Sequence, residues 1–177
     1  MGTLSVGRTN ALQLDIRRSL HSLIQECPGL HFREIQRRTE TPTGQLTYHL
    51  DYIVKAGLIS TFSDGEYVRY YAPISIDKKE RKILELLRRK SIRHIVLHLL
   101  NNTSSNNGQL TKELGLSPST VSWHTKRLID EEVLEKKSVG RESHLTIRDP
   151  ELIAKLLVKY GESFMDRLVD RFLDMWQ

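Results

Sequence analysis

Thr43-Gly-Gln-Leu-Thr-Tyr-His-Leu50 is matched, 75 residues further along and without a gap, by Pro118-Ser-Thr-Val-Ser-Trp-His-Thr125. The same offset aligns residues on both sides of these octapeptides: Arg18 with Arg93, Ile24 with Leu99, Ile35 with Leu110, Ile53 with Leu128, Leu58 with Val133, and Gly65 with Gly140. An internal repeat of this length indicates two copies of one small domain.

Apolar spacing divides the first copy into three helices. The spacing breaks at Pro28-Gly29 and resumes behind Thr41-Pro42, where Thr caps a helix and Pro is tolerated in its first turn. We therefore predict helices from Asn10 to the Pro28-Gly29 stop, over 31–38, and from Thr41-Pro42 to Ala56-Gly57.

A hairpin follows the third helix in each copy. In the first copy, segments 58–62 and 67–71 flank Asp64-Gly65, a pair that favours a tight turn. The second copy is predicted to have helices over 92–100, 109–114 and from 117 onward, with strands over 134–137 and 144–147. Three helices and a hairpin in this order predict a winged helix-turn-helix, so the fold class is mainly α with small β-hairpin wings.

Two further segments complete the chain. Residues 77–90 lack Gly and Pro and carry seven basic against three acidic residues, which predicts a helix with Ile83, Leu84 and Leu87 facing protein. The predicted domains are 1–76 (first winged helix, with 1–9 as a flexible arm), 77–148 (linker helix and second winged helix) and 149–177 (C-terminal dimerisation helix).

The C-terminal helix has a wide apolar stripe, which leaves two interpretations. The stripe is either buried within its own domain or paired with the same helix of a second chain. We favour the homodimer, held by Tyr160, Phe164, Leu168, Phe172 and Trp176.

Composition is typical of a globular protein without a membrane partner. The formal net charge is +5, but residues 149–177 carry four basic against six acidic residues, so contact with phosphate is expected elsewhere. The single Cys27 excludes an intrachain disulfide and a Cys-rich zinc site. No apolar run is long enough for a bilayer and no secretory signal is apparent, which predicts a cytoplasmic location.

The third helix of each copy is the predicted recognition helix, and the face opposite its core stripe would meet the major groove of double-stranded DNA. Hydroxyl, amide and basic groups there suit phosphates and base edges, and aromatic rings suit thymine methyls. The predicted contacts are Thr43, Gln45, Thr47, Tyr48 and His49; Ser119, Thr120, Ser122, Trp123, His124, Lys126 and Arg127; and, on the wings, Arg69, Lys136, Lys137 and Arg141.

For the histidines and the basic wing residues, an alternative to DNA contact is open. His49 and His124 border the buried stripe, so each is equally well interpreted as a structural hydrogen-bonding residue. Basic residues on hairpins are commonly only solvated. Asp51 repels phosphate where the second copy has Lys126, so we expect the second recognition helix to bind more strongly.

Metal, cofactor and catalytic chemistry are not predicted. His94 and His98 are four residues apart, but no acidic or Cys partner is near them and His98 lies on an apolar stripe. The sequence contains no Gly-rich phosphate loop and no nucleophile motif with an assigned base. The chain is therefore not expected to be an enzyme.

Several motifs resemble the winged-helix transcription regulators of the ArsR and MarR type, most closely their archaeal form with two domains in tandem. They are Leu30-His-Phe-Arg-Glu-Ile35, Gly44-Gln-Leu-Thr-Tyr-His-Leu50, Ala56-Gly-Leu-Ile59 and Ser117-Pro-Ser-Thr-Val-Ser-Trp-His124. The resemblance covers residues 12–148 and implies sequence-specific binding near promoters, frequently as a dimer. Metal-sensing members use Cys and His ligands, and the Cys pair is lacking here, so metal-responsive control is not implied.

The predicted function is that of a sequence-specific transcriptional regulator, homodimeric, with two winged helices per chain on double-stranded DNA. The alternative is a winged-helix adaptor that binds proteins of the transcription machinery without reading sequence. The salt response separates them, because phosphate neutralisation releases counterions and protein docking need not.

Overall fold

The structure, a computed structural model, describes residues 15–73, 76–139, 142–165 and 167–174. It divides into two compact units, unit 1 and unit 2, with the boundary between Asp77 and Lys78. Four of the sequence predictions fall outside the described residues: the arm 1–9, the cap Asn10, and the side chains of Arg141 and Trp176.

Unit 1 packs its helices on a small antiparallel sheet. Its elements are α1 (Asp15–Glu26), β1 (Leu30–His31), α2 (Phe32–Thr39), α3 (Thr43–Lys55), β2 (Ser60–Ser63) and β3 (Val68–Tyr71). β3 lies between β1 and β2 and pairs antiparallel with both. The apolar stripes of the helices meet in one core that includes Leu20, Ile24, Ile35, Leu46 and Ile53. Burying each such side chain contributes roughly 1.5–3 kcal/mol, which favours the assembled helices.

Unit 2 repeats this plan and adds helices before and after it. Its elements are α4 (Lys78–Leu87), α5 (Lys90–Asn102), α6 (Asn107–Leu114), α7 (Pro118–Asp130), β4 (Leu134–Val139), β5 (Glu142–Ile147), α8 (Pro150–Tyr160), a 3-10 turn (Gly161–Phe164) and α9 (Arg167–Asp174). β4 and β5 form an antiparallel hairpin. The structure thus confirms the predicted fold class of two winged helices with a helical C-terminal segment.

The 75-residue offset holds for the backbone as well as for the sequence. α6 and α7 begin and end at the positions of α2 and α3 shifted by 75. The N–H of His31 donates to Glu34 Oε2 at 3.0 Å, and the N–H of Asn106 donates to Gln109 Oε1 at 2.8 Å. These reciprocal caps fix the start of the helix that precedes each recognition helix.

The basic segment 77–90 is not one continuous helix. α4 ends at Leu87 and α5 begins at Lys90, and α4 packs against α5 and α8 within unit 2. The predicted inward residues of α4 are buried, namely Ile83, Leu84 and Leu87. Lys79 pairs with Asp149 at 3.3 Å and Lys82 with Glu131 at 3.0 Å, so acidic partners offset part of the positive charge of this segment.

The C-terminal segment reverses direction instead of continuing as one helix. α8 ends at Tyr160, and Met165 adopts a left-handed backbone (φ 51°) after the 3-10 turn. α9 then packs on Gly161, where a Cβ would lie 2.8 Å from Leu173 Cδ1 and 2.9 Å from Val169 Cγ1. A side chain at position 161 would push α9 away.

This reversal corrects the predicted role of the aromatic stripe. The side chains of Tyr160, Phe164 and Phe172 are buried within unit 2 and are not available to a second chain. Arg88 lies over one of these rings, with its Cζ 4.8 Å from the ring centroid of Phe164, and its Nη1 donates to the carbonyl of Ser163 at 2.9 Å. Of the predicted dimer residues that the structure describes, Leu168 is 38% exposed.

Candidate nucleic-acid interface

The two recognition helices, α3 and α7, turn one face to the core and the other to solvent. The core positions of α3 include Leu46 and Leu50, and those of α7 include Val121 and Leu128. The predicted contacts that are exposed on the opposite faces are Thr43, Gln45, Thr47 and Tyr48 on α3, and Ser119, Ser122, Trp123 and Lys126 on α7, with Thr120 and Arg127 half-buried.

Hydroxyl groups stabilise the first turn of each recognition helix. In α3, Gln36 Nε2 donates to Thr43 Oγ1 at 2.8 Å, and Thr47 Oγ1 donates to the Thr43 carbonyl at 2.9 Å. In α7, Ser117 Oγ accepts from the N–H of Thr120 at 3.2 Å. The helix start is therefore held in place where it would approach DNA.

The two faces differ in charge. α3 exposes the carboxylate of Asp51, and the pKa of the nearby Tyr70 phenol is raised by burial and by this carboxylate. α7 carries Lys126 and Arg127 on the corresponding surface. The surface of α7 is thus better suited to phosphate than that of α3.

A cleft of about 520 Å³ separates α7 from the wing of unit 2. Ser122 and Lys126 line it from α7, Lys136 lines it from β4, and Asn107 and Gly108 line it from the start of α6. Glu142 also lines the cleft, where its Oε2 accepts from Asn106 Nδ2 at 2.9 Å. The two lysines outnumber this carboxylate, so the concave surface is suited to an anionic backbone.

A second prediction is wrong, namely that Arg69 on the wing of unit 1 contacts DNA. The side chain of Arg69 is buried and is not placed to reach phosphate. Its Nε donates to Asp64 Oδ2 at 2.6 Å and its Nη1 to the Gly29 carbonyl at 2.8 Å. Asp64 Oδ1 in turn accepts from the N–H groups of Glu66 and Tyr67. Burial would raise the pKa of Asp64, but these donors and Arg69 lower it to about 2.

The wing of unit 2 leaves its predicted basic residues in solvent. Lys136 and Lys137 are exposed, and Lys137 Nζ lies 2.6 Å from Glu135 Oε1. Arg141 lies outside the described residues. Of the four basic wing residues predicted from sequence, the structure therefore places Lys136 and Lys137 where phosphate can reach them.

His49 and His124 are buried, which favours the structural interpretation over direct contact with bases. Their side chains lie beneath the exposed faces of α3 and α7, with residue exposures of 6% and 8%. Arg17 Nε donates to His49 Nδ1 at 3.3 Å, so that nitrogen is the unprotonated one. Burial and adjacent arginines lower the pKa of both imidazoles, Arg17 acting on His49, and Arg89 and Arg127 on His124.

These neutral histidines predict a loss of stability in mild acid. Their folded pKa lies below the unfolded value of about 6.5, so the unfolded state binds more protons as the pH falls below that value. We expect the free energy of unfolding to be level above about pH 6.5 and to decline below it. Denaturant titrations of the wild type and of a His49→Gln, His124→Gln variant test this: the variant should lose less stability on acidification, and an equal loss would contradict it.

Sequence reasoning missed Arg17. It precedes Leu20 by three residues and Ile24 by seven, so a charged residue occupies the core stripe of α1. Arg17 is 6% exposed and lies against α3, where it contacts His49 and stacks on Tyr52. The sequence does contain an indication of its role, since a basic residue stands at a position where the helical spacing predicts an apolar one. A charged side chain that is buried needs a specific partner.

The described residues contain no group of three or more His, Cys, Asp or Glu side chains placed to hold a metal. His98 Nε2 lies 2.9 Å from Ser105 Oγ, which positions the loop before α6. Among the described helices, none has the length and apolar character required to cross a bilayer.

Two equivalent units of three helices and a hairpin, each with a polar recognition helix, define a tandem pair of winged helix-turn-helix domains. Comparison with known families agrees: residues 14–84 match a family described as an N-terminal HTH domain, and residues 88–135 match one described as winged helix-turn-helix DNA-binding. The chain therefore carries two helix-turn-helix domains in tandem.

The chain is also homologous to an uncharacterized HTH-type transcriptional regulator of Methanocaldococcus jannaschii. The two are 29% identical over 126 residues, which is 71% of this chain and 32% of the relative. The matched region thus spans about a third of the length of that relative.

Proposed function

We propose that the protein is a sequence-specific regulator of transcription that binds double-stranded DNA, with unit 2 supplying the stronger contact. The observation that carries the proposal is the cleft of unit 2, where Lys126 of the recognition helix and Lys136 of the wing line one concave surface. The similarity to an HTH-type transcriptional regulator supports the same function. The ArsR or MarR type, and the cytoplasm as its location, remain predictions.

DNA is favoured over a protein partner because of the chemistry of the α7 face. Ser122 and Lys126 suit base edges and phosphates, and charged residues are depleted at the centre of protein interfaces. An adaptor that binds proteins of the transcription machinery remains the second candidate, supported by the exposed rings of Tyr48 and Trp123.

Selection of bound fragments from genomic DNA tests the proposal. Repeated capture on the full chain, followed by sequencing, should enrich a common motif, and that duplex should bind more tightly than a scrambled duplex of the same composition. Enrichment without any common motif would contradict sequence readout.

We further propose a homodimer held by the outer surface of α8. A groove of about 610 Å³ there is lined by Leu100, Ala154 and Val158, and Val158 is 58% exposed. Glu151 and Lys159 border the groove eight residues apart on one helix face. Antiparallel pairing about a two-fold axis would place Glu151 against the partner's Lys159 twice, and would let two chains engage a symmetric site.

A charge exchange tests this dimer. Glu151→Lys and Lys159→Glu should each weaken self-association, because each places like charges across the two-fold axis, and the double variant should restore it. Light scattering at micromolar concentration without DNA measures the effect. A monomeric wild type, or a double variant no better than the single variants, would contradict the proposed surface.

A further inference from the structure

Arg17 joins α1 to three side chains on the recognition helix of unit 1. Its Cζ lies 3.5 Å from the ring centroid of Tyr52 and 5.8 Å from that of Tyr48, and its Nε donates to His49 Nδ1. A planar guanidinium stacks on rings and donates in fixed directions, so Arg17 limits how these side chains can rotate.

Tyr48 is the most exposed member of this cluster, ahead of Tyr52 at 39%. It is 60% exposed, and its ring meets that of His49 edge to face at 5.2 Å and 67°. Contacts with a histidine and an arginine restrict the rotamers of this exposed ring in the free protein. The ring therefore loses less conformational entropy when it binds a partner.

Unit 2 has an exposed ring and a histidine at the equivalent positions, but its arginines come from different positions. Trp123, which corresponds to Tyr48, is 53% exposed and meets His124 edge to face at 4.9 Å and 65°. The position equivalent to Arg17 is the buried Ile92, yet Arg89 and Arg127 lie 5.9 and 5.8 Å from the Trp123 ring. The two units thus share an exposed aromatic ring that a histidine and an arginine hold in place, although the arginine comes from a different position in each. This recurrence indicates that the ring itself has a function.

We propose that Arg17 is a positioning residue for DNA recognition, which holds the Tyr48 ring in the orientation that contacts a base or sugar in the groove. This inference rests on the proposed function. Arg17 is 6% exposed and does not reach phosphate itself, so its contribution is to sequence discrimination and not to charge neutralisation.

The test compares Arg17→Met with Arg18→Met in the full chain. Arg18 is the neighbouring residue, its side chain is 63% exposed, and its removal deletes the same charge. Dissociation constants are measured for the selected duplex and a scrambled duplex at several salt concentrations. Arg17→Met should weaken binding to the selected duplex by about tenfold, the scale expected when one base is no longer read, with the scrambled duplex and the salt slope nearly unchanged. Discrimination is the ratio of the dissociation constants for the scrambled and the selected duplex, and Arg18→Met should leave this ratio at the wild-type level.

Tyr48→Ala extends the test to the ring itself. It should reduce discrimination as much as Arg17→Met, and the double variant should be no worse than Tyr48→Ala alone. If Arg17→Met does not fold, Tyr52→Leu removes the ring on which the guanidinium stacks and should give the same loss.

Equal losses on both duplexes, or unchanged discrimination in a folded variant, would overturn the positioning role. A wild type that does not distinguish the two duplexes would instead contradict the proposed function.

Discussion

Replacing Arg69 with Met should destabilise unit 1 by about 3–5 kcal/mol, the usual cost of breaking a buried ion pair. The side chains of Arg69 and Asp64 are 3% and 1% exposed, so the substitution leaves a carboxylate without its cation away from water. The Gly29 carbonyl also loses its donor. Hydrogen exchange of unit 1 peptides should accelerate by about two to four orders of magnitude.

Lys137→Met is the matched control for that experiment. Lys137 pairs with Glu135 at the same 2.6 Å as Arg69 with Asp64, but its side chain is 61% exposed. An exposed pair contributes roughly 0–1 kcal/mol to stability. Lys137→Met should therefore have little effect on the hydrogen exchange of the unit 2 peptides around it. Similar small effects of both substitutions would show that Arg69 does not hold the wing.

Removing Lys126 and Arg127 together should weaken DNA binding by roughly 1–3 kcal/mol, or about 5- to 150-fold. Both residues lie on α7, and Lys126 lines the cleft beside the wing. Asp51→Ala, at the position equivalent to Lys126, should leave affinity unchanged or strengthen it because a repulsive charge is removed. Titration of the selected duplex measures both variants.

The reverse ranking would assign the stronger contact to unit 1. That outcome is a loss of affinity on Asp51→Ala that exceeds the loss on replacing Lys126 and Arg127. Binding by unit 1 would then depend on neutral groups such as Gln45 and Thr47 and not on phosphate neutralisation.

The repeated elements were predictable because local rules and tertiary packing agree in them. The residues that the offset pairs as apolar, such as Ile35 with Leu110 and Ile53 with Leu128, are buried in both units. The exposed face of each recognition helix followed from the same periodicity. For these elements the pattern of apolar residues specifies both the helix and its orientation.

The C-terminal segment was harder to predict because periodicity identifies an apolar stripe but not what covers it. Phe164 and Phe172 have the spacing of an interface, but the chain turns between them and buries both in unit 2. The sequence feature associated with the reversal is Gly161, whose lack of a side chain allows α9 to pack close to the backbone. A glycine within a helical pattern does not by itself indicate a reversal.

The buried ionic residues were missed for a related reason. A basic residue on a hairpin has the same local sequence whether it points to solvent or inward, and the partners of Arg69 are five and forty residues away. For His49 the sequence indicated a structural role as one alternative, but it did not identify the partner, Arg17, which is 32 residues earlier. Contacts between residues distant in sequence require the tertiary structure.

The most direct measurement is a titration of the selected duplex with the full chain at several salt concentrations. If the recognition helix and wing of unit 2 neutralise phosphates, the logarithm of the binding constant should fall linearly with the logarithm of salt concentration. The slope should become shallower when Lys126 and Arg127 are replaced, by about one for each phosphate that is no longer neutralised. No binding at low salt, or a slope unaffected by removing both residues, would contradict the proposed interface.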